Sequence, residues 1–156
     1  MKKLVNNQLE TDTLAKNFAN LIKQNGAFIC LYGDIGSGKT TFTKSLAKYL
    51  DVKENVTSPS FVILNEYHSG CIPIYHFDLY RLESEGVKTI SSELDEYTDD
   101  KIVTIIEWAD FCDIDLPQNR IEVNITYVDE TSRNFEFKTI GTKYITCIKE
   151  LEKCIF

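Results

Sequence analysis

The chain has 156 residues, a formal net charge of −7 at pH 7, and 43% hydrophobic and 26% charged residues. The length suits one domain, and the mixture of apolar and charged residues argues against disorder and collagen-like repeats. The acidic balance argues against a domain that binds nucleic acid by itself, because affinity for the phosphate backbone comes from clustered lysines and arginines. We therefore predict a single domain over residues 1–156.

The sequence carries no signal for secretion or for a membrane. The two N-terminal lysines are not followed by an apolar run, and no stretch approaches the roughly 20 apolar residues that span a bilayer. The five cysteines are odd in number and include no C-x-x-C pair. We expect a reduced, cytoplasmic protein with no membrane partner.

Residues 11–24 are predicted to form the first helix. Apolar side chains recur there at the spacing of one helix face. Thr11 or Asp12 is placed to cap the first turn, and the pair Asn25-Gly26 is a plausible C-terminal cap.

A buried strand, a glycine-rich turn and a second helix follow in that order. Residues 27–33 are a continuous apolar run, typical of a strand covered on both faces and a candidate for the core of a parallel sheet. Residues 39–50 place apolar side chains on one side of a helix, and the polar residues 51–60 predict a loop.

The second half of the chain is richer in predicted strands. Residues 61–67 and 71–80 read as two strands joined by a short hairpin, and residues 101–108 as a buried, mostly β-branched strand. Residues 120–128 and 134–140 alternate apolar and polar positions, which predicts an antiparallel hairpin at the sheet edge. Two further helices are indicated by weaker patterns: one around residues 91–97 of the ambiguous stretch 88–99, and a closing helix within residues 142–156.

The segment GDIGSGKT, residues 33–40, matches the phosphate-binding pattern G-x-x-x-x-G-K-[ST] in full. Its glycines let backbone N–H groups turn inward around phosphates, and the helix that begins at Lys39 adds its positive dipole end. Lys39 is predicted to reach the β- and γ-phosphates, and the Thr40 hydroxyl to ligate Mg²⁺. The predicted nucleotide-binding residues here are Gly33, Asp34, Ile35, Gly36, Ser37, Gly38, Lys39, Thr40 and Thr41.

A P-loop enzyme also needs an acidic group near the metal, usually at the end of a neighbouring strand. Two predicted strand ends qualify, because HFDLYR offers Asp78 and IIEW offers Glu107. From the pattern alone, each could be a metal-facing acid or a surface acid that ends its strand.

The loop VTSPSF, residues 56–61, is rich in hydroxyl groups and stands where a loop can sense the γ-phosphate. Thr57, Ser58 and Ser60 are therefore candidates for a switch. Trp108, the only tryptophan, either packs as an ordinary aromatic residue, covers the site or meets a partner protein.

Missing motifs exclude some classes of P-loop protein. The chain has no N-K-x-D segment of GTPases and no L-S-G-G-Q-like signature of transporter ATPases. A small-molecule or nucleoside kinase remains the alternative, although such kinases usually carry several arginines to neutralise transferred phosphates. This chain has only Arg81, Arg120 and Arg133. A third reading is a binding module with a degenerate P-loop.

Together, the segments LYGDIGSGKTTF, VTSPSF, HFDLYRL and IIEW resemble the TsaE family, the small ATPases of bacterial tRNA threonylcarbamoyladenosine synthesis. The resemblance implies an α/β P-loop NTPase fold, whose mostly parallel central sheet is extended by antiparallel strands and flanked by helices. It also implies an enzyme that binds ATP and Mg²⁺ and hydrolyses ATP slowly by itself. The family pattern departs at residues 84–97, where Ser92 stands near an expected glycine, and the match is loose beyond residue 128.

The implied role is that of an ATPase subunit acting on a complex of the TsaD and TsaB proteins. That complex forms the threonylcarbamoyl group on adenosine 37 of tRNAs that read codons beginning with adenine. By this resemblance the chain meets tRNA only indirectly, through its partners.

The resemblance also implies roles for single residues. Thr40 and Glu107 match the Mg²⁺ ligands, and Asp78 matches an acid that helps to orient water or the metal shell. Lys39, Asp78 and Glu107 form the implied catalytic set, and Asp34 matches an acid close to the γ-phosphate.

Other matches lie farther from the phosphates. Thr57 and Ser60 fall in the family's switch-like loop, and Trp108 matches the tryptophan of its E-W pair. Glu10 and Thr13 lie in the N-terminal segment that, in the family, approaches the nucleotide base.

Overall fold

A seven-stranded sheet with helices packed against it forms the body of the protein. The computed structural model describes residues 1–81, 94–111 and 115–154. The strands are β1 Lys2–Val5, β2 Ala27–Tyr32, β3 Leu64–Tyr67, β4 Ile74–Asp78, β5 Val103–Glu107, β6 Arg120–Tyr127 and β7 Arg133–Ile140. The helices are α1 Gln8–Ile22, α2 Lys39–Tyr49 and α3 Ile145–Lys153. Within these described ranges, no helix combines the length and apolar character needed to cross a membrane.

The strand order is β1-β7-β6-β2-β5-β4-β3. Strands β6, β2, β5 and β4 are parallel to one another, whereas β7, β1 and β3 are antiparallel to their neighbours. This confirms the predicted α/β fold with a mostly parallel centre and antiparallel extensions. Strands β2 and β5 read as continuous apolar runs because both of their faces are covered.

The first helix begins earlier than its apolar spacing indicated. Asn7 is the N-cap, and its side-chain oxygen accepts a hydrogen bond of 3.0 Å from the backbone N–H of Glu10. The Glu10 carboxylate in turn accepts from the backbone N–H of Asn6 at 3.0 Å, a reciprocal arrangement close to a capping box. The prediction that Thr11 or Asp12 caps this helix was wrong, because both lie inside it.

The hairpin of β6 and β7 does not form the sheet edge, contrary to the prediction. Strand β6 runs parallel beside β2, and β1 pairs with β7 on the other side. Sequence analysis missed β1, since four residues that include two lysines carry no recognisable strand pattern. Main-chain pairing with β7 forms this strand, and that pairing exists only in the folded chain.

The predicted hairpin of β3 and β4 is confirmed, but its first strand is shorter than the predicted range 61–67. It begins at Leu64, because the N–H groups of Val62 and Ile63 both donate to the Pro59 carbonyl in a turn. The hydroxyl-rich loop therefore extends to the very start of β3.

The two weaker helix predictions had different outcomes. Residues 84–93, with Ser92 and the start of the helix expected over 91–97, lie outside the described residues, and Asp95–Tyr97 forms a 3₁₀ turn. The closing helix is confirmed over Ile145–Lys153.

An aromatic cluster joins the helices to one face of the sheet. Phe18 of α1 and Phe42 of α2 meet Phe135 and Phe137 of β7, with ring centroids 5.1 to 6.4 Å apart. Fully burying one such side chain stabilises a fold by about 1.5–3 kcal/mol. The cluster thereby holds α2, and the glycine-rich loop before it, against the sheet.

The carboxyl ends of the central strands meet beside the start of α2. Asp78 at the end of β4 lies opposite Glu107 at the end of β5, and Glu107 lies opposite Leu31 of β2. Ligand sites of open α/β sheets form at this edge, where strands end and helices begin.

Candidate functional site

The glycine-rich loop between β2 and α2 uses backbone conformations that favour glycine. Gly33 has a φ of 140° and Gly38 a φ of 109°. A Cβ atom on Gly33 would lie 2.3 Å from the carbonyl oxygen of Ile125 on β6, so close packing also requires glycine there. Among the described residues, no side chain caps the first turn of α2, which begins at Lys39. Its first N–H groups can therefore bind an anion.

Lys39 is buried beneath this loop. Its Nζ donates to the carbonyl oxygens of Gly33 at 2.6 Å and Asp34 at 3.0 Å, and lies 3.8 Å from the Trp108 ring centroid. Burial lowers the pKa of Lys39 below its ordinary value, while nearby carboxylates, Glu107 foremost, act in the opposite direction. A phosphate would supply the negative charge that this buried ammonium group needs.

Thr40 and Glu107 bring two oxygen ligands together beside Lys39. The Thr40 hydroxyl donates to Glu107 Oε1 at 3.2 Å and lies 3.3 Å from Oε2. Hydroxyl and carboxylate oxygens are hard ligands of the kind that Mg²⁺ prefers. The residues present therefore fit a magnesium ion at the start of α2.

Asp78 has a different set of contacts. Its Oδ2 accepts hydrogen bonds from Ser58 Oγ at 2.8 Å and Ser60 Oγ at 2.6 Å, and its Oδ1 accepts from the backbone N–H of Tyr80 at 3.0 Å. Hydrogen bonds to an ionised carboxylate are stronger than neutral ones. Asp78 thus fastens the hydroxyl-rich loop to the end of β4.

Thr57 lies apart from the other two hydroxyl residues of this loop. Ser58 and Ser60 line the cleft, whereas Thr57 is exposed beside β3. Its backbone N–H donates to the Tyr67 hydroxyl at 3.2 Å, and its carbonyl accepts from Asn65 Nδ2 at 3.2 Å. A role for Thr57 toward the phosphates or a partner stays a prediction.

Trp108 forms one wall of the cleft. Its backbone φ of 63° lies in the left-handed region, which is rare and strained for a bulky side chain. Its ring packs on Lys39 and lies 5.1 Å from the Tyr80 ring.

The glycine-rich loop, the ends of β4 and β5 and the hydroxyl-rich loop line an open cleft of about 350 Å³. The cleft contains most of the predicted phosphate, metal and switch residues. Its walls consist of Ile35, Gly36, Gly38, Lys39, Thr40, Thr41, Ser58, Ser60, Asp78, Tyr80, Glu107 and Trp108.

A second cavity of about 250 Å³ adjoins the cleft, and the two share Gly38 and Thr41. Arg133 of β7 lines it and donates from Nε to the Ser37 carbonyl at 2.9 Å. That bond ties the end of the β6–β7 hairpin to the glycine-rich loop. The remaining walls are Asn7, Gln8, Thr11, Ser37, Glu130, Thr131 and Phe135.

Glu10 and Thr13 do not line this second cavity. Glu10 caps the start of α1, and the Thr13 hydroxyl donates to the Leu9 carbonyl at 2.8 Å. Their neighbours Asn7 and Gln8 face the cavity instead. Contact of Glu10 and Thr13 with a nucleotide base stays a prediction.

Sequence analysis missed His76, the buried partner of Glu107. Its Nε2 lies 2.8 Å from Glu107 Oε1. The signal was present, since a polar residue two positions before Asp78 in a buried strand must lie on the same face as that acid.

A protein-family model covers the part of the chain that carries the glycine-rich loop, Asp78 and Glu107. Residues 5–135 match the family model described as threonylcarbamoyl adenosine biosynthesis protein TsaE. The chain belongs to the TsaE family. This confirms the resemblance drawn from the four sequence segments, and TsaE proteins are generally ATP-using proteins of tRNA modification.

Curated relatives carry the name tRNA threonylcarbamoyladenosine biosynthesis protein TsaE. The Bacillus subtilis protein is 38% identical over 147 residues, covering 94% of this chain and 90% of the relative. The protein of a Nostoc species is 42% identical over 113 residues, covering 71% of this chain and 69% of the relative. The crystal structure of Bacillus subtilis YdiB is 34% identical with a TM-score of 0.81, over 98% of this chain and 94% of the other.

Proposed function

We propose that this TsaE protein is a Mg²⁺-dependent ATP hydrolase that acts, as one domain, on a TsaD/TsaB complex. Its turnover would serve formation of the threonylcarbamoyl group on adenosine 37 of tRNAs that read codons beginning with adenine. The contact between Thr40 and Glu107, directly beside Lys39, carries the proposal. It unites a phosphate-binding lysine with two metal ligands at one helix start.

Thr40 and Glu107 are the residues that would hold Mg²⁺. A bound ion would neutralise charge on the β- and γ-phosphates. Asp78 is the weaker candidate for a direct ligand, because its carboxylate already accepts from Ser58, Ser60 and the Tyr80 N–H. Its proposed role is to set the loop that orients the attacking water.

The glycine-rich loop would hold the triphosphate, and the second cavity would hold the adenosine. Lys39 would exchange its bonds to the Gly33 and Asp34 carbonyls for bonds to the β- and γ-phosphates. Gly38 and Thr41 border both cavities, so one nucleotide can occupy the two together, with its triphosphate in the cleft and its adenosine in the second cavity.

Coupling to partners would act through the mouth of the cleft. Ser60 belongs to the loop held by Asp78, and Trp108 forms a wall, so a protein docked there can shift both at once. Turnover of the chain alone would be slow if another protein completes the site. The net charge of −7 supports contact with tRNA only through that complex.

The contacts of the arginines weigh against the kinase alternative. Arg120 pairs with Glu122 at 2.8 Å, and Arg133 is bonded to the glycine-rich loop. Arg81 lies over the Phe61 ring at 4.0 Å. None of the three lines the cleft of the described structure, so a phosphate in transfer would lack the arginine clamps that kinases use.

The four described cysteines are free thiols, which supports a cytoplasmic location.

The decisive experiment measures ADP formation by the chain alone, with TsaD and TsaB, and with each partner singly, in Mg²⁺ and in EDTA. We expect slow turnover alone and stimulation only by the complete set with Mg²⁺. Equal rates with and without partners, together with no assembly in a pull-down, would contradict the proposed coupling. A phosphorylated metabolite formed from a nucleoside or sugar panel would favour the kinase instead.

A further inference from the structure

His76 is a buried polar side chain that the proposed chemistry leaves without a role. Its exposed fraction is 0%, whereas the chain's other histidine, His68, is exposed. Its Nε2 lies 2.8 Å from Glu107 Oε1, and among the described residues its Nδ1 has no hydrogen-bond partner. Since buried polar groups nearly always have hydrogen-bond partners, the contact with Glu107 is the polar contact that holds this ring among the described residues.

The sheet directs His76 toward Glu107. Strands β4 and β5 are parallel, with Asp78 opposite Glu107. Because alternate residues of a strand share a face, His76 lies on the same face as Asp78. The imidazole therefore reaches Glu107 from the sheet, while Thr40 reaches it from the start of α2.

A glutamate at this position needs such an anchor. Its side chain has one more rotatable bond than aspartate, and fixing that bond during metal binding costs conformational entropy. Thr40 offers the carboxylate a single hydroxyl group, which is too little to fix its orientation. The contact with His76 Nε2 gives Oε1 a second partner, which comes from the sheet, before any ligand arrives.

We propose that His76 is a positioning residue that holds the Glu107 carboxylate in the orientation required for Mg²⁺. This inference rests on the proposed role of Thr40 and Glu107 as metal ligands. A ring that carries its proton on Nε2 donates to the Glu107 carboxylate and fixes the position of its oxygen. His76 itself contacts neither metal nor phosphate.

The first test compares the affinity for a non-hydrolysable ATP analogue in Mg²⁺ and in EDTA by titration calorimetry. We call the gain in affinity from EDTA to Mg²⁺ the tightening by Mg²⁺. His76→Leu should reduce this gain about tenfold or more, as is typical when a hydrogen-bond partner of a metal ligand is removed. Its affinity in EDTA should stay within about twofold of the wild type, because loop amides and Lys39 still hold the phosphates. His76→Gln should retain most of the tightening, since its amide nitrogen can donate from a similar place.

His68→Leu is the matched control, because His68 is exposed and its imidazole contacts Glu66 and Tyr75, neither of which lines the cleft. If Glu107→Gln loses the tightening by Mg²⁺ while His76→Leu keeps the wild-type value, the role of His76 is overturned and the metal assignment stands. No tightening in the wild type would overturn the metal assignment, and the role of His76 with it.

The second test needs no variant. In ¹⁵N NMR spectra of the two imidazoles, we expect His76 as the Nε2–H tautomer, with an Nε2 shift that changes when Mg²⁺ and the ATP analogue are added together. The His68 resonances should not move. An Nδ1–H tautomer at His76 would overturn the proposal, because Nε2 could not donate to Glu107.

Discussion

Thr40 Oγ1 and Glu107 Oε1 lie 3.2 Å apart although 67 positions separate them in the chain. Thr40 lies in the first turn of α2 and Glu107 ends β5, so the contact forms only when helix and sheet pack together. It joins the glycine-rich loop to the acid that sequence analysis favoured as the metal ligand.

Glu107→Gln tests that acid with the smallest change in shape. The amide oxygen can still accept from His76 Nε2, so the buried histidine keeps a partner while the negative charge is lost. We expect Mg²⁺-dependent ATP turnover, measured with the partner proteins, to fall at least about 100-fold. Binding of ATP in EDTA should persist. Unchanged turnover would shift the metal role to Asp78.

Lys39→Ala should abolish ATP binding measured by calorimetry. The variant removes the ammonium group that contacts the Gly33 and Asp34 carbonyls. In the nucleotide complex this group would face the β- and γ-phosphates, and the loop amides would have to hold them without it. Lys44→Ala is the control, because Lys44 is exposed on the same helix. Comparable weakening in both variants would mean that net charge, rather than this contact, governs the affinity.

The double variant Ser58→Ala/Ser60→Ala should loosen the hydroxyl-rich loop. It removes both donors to Asp78 Oδ2, and hydrogen bonds to charged groups contribute about 1.5–3 kcal/mol each. Hydrogen exchange of the peptide that spans residues 57–63 should therefore become at least about tenfold faster. Thr57→Ala is the control, since Thr57 makes no described bond to Asp78, and equal exchange in both variants would disprove the anchoring role.

Cysteine reactivity tests the packing independently of nucleotide chemistry. Burial raises the pKa of the Cys30 thiol to about 12 and of the Cys147 thiol to about 11, whereas Cys71 and Cys154 are exposed. A raised pKa leaves less thiolate, which is the reactive form, so Cys30 and Cys147 should alkylate at least about tenfold more slowly near pH 8. Mass spectrometry after timed iodoacetamide treatment measures this. Labelling of Cys147 as fast as that of Cys71 would contradict its partial burial.

Contiguous patterns explain why much of the site was predictable. The eight residues 33–40 carry the loop chemistry in order, and the strand ends at Asp78 and Glu107 are marked by the apolar runs before them. The first helix was less predictable at its start, because its cap at Asn7 depends on a reciprocal bond with Glu10 rather than on apolar spacing.

The sequence by itself determined that a phosphate-binding loop stands between a buried strand and a helix, and that two acids end neighbouring strands. Local spacing suffices for this, because turn chemistry and strand burial are properties of adjacent residues. Tertiary structure alone decided that Glu107 meets Thr40 and His76 while Asp78 meets Ser58 and Ser60. Which acid lies beside the start of α2 depends on strand register and on the position of α2, and both are set by packing between residues far apart in the chain.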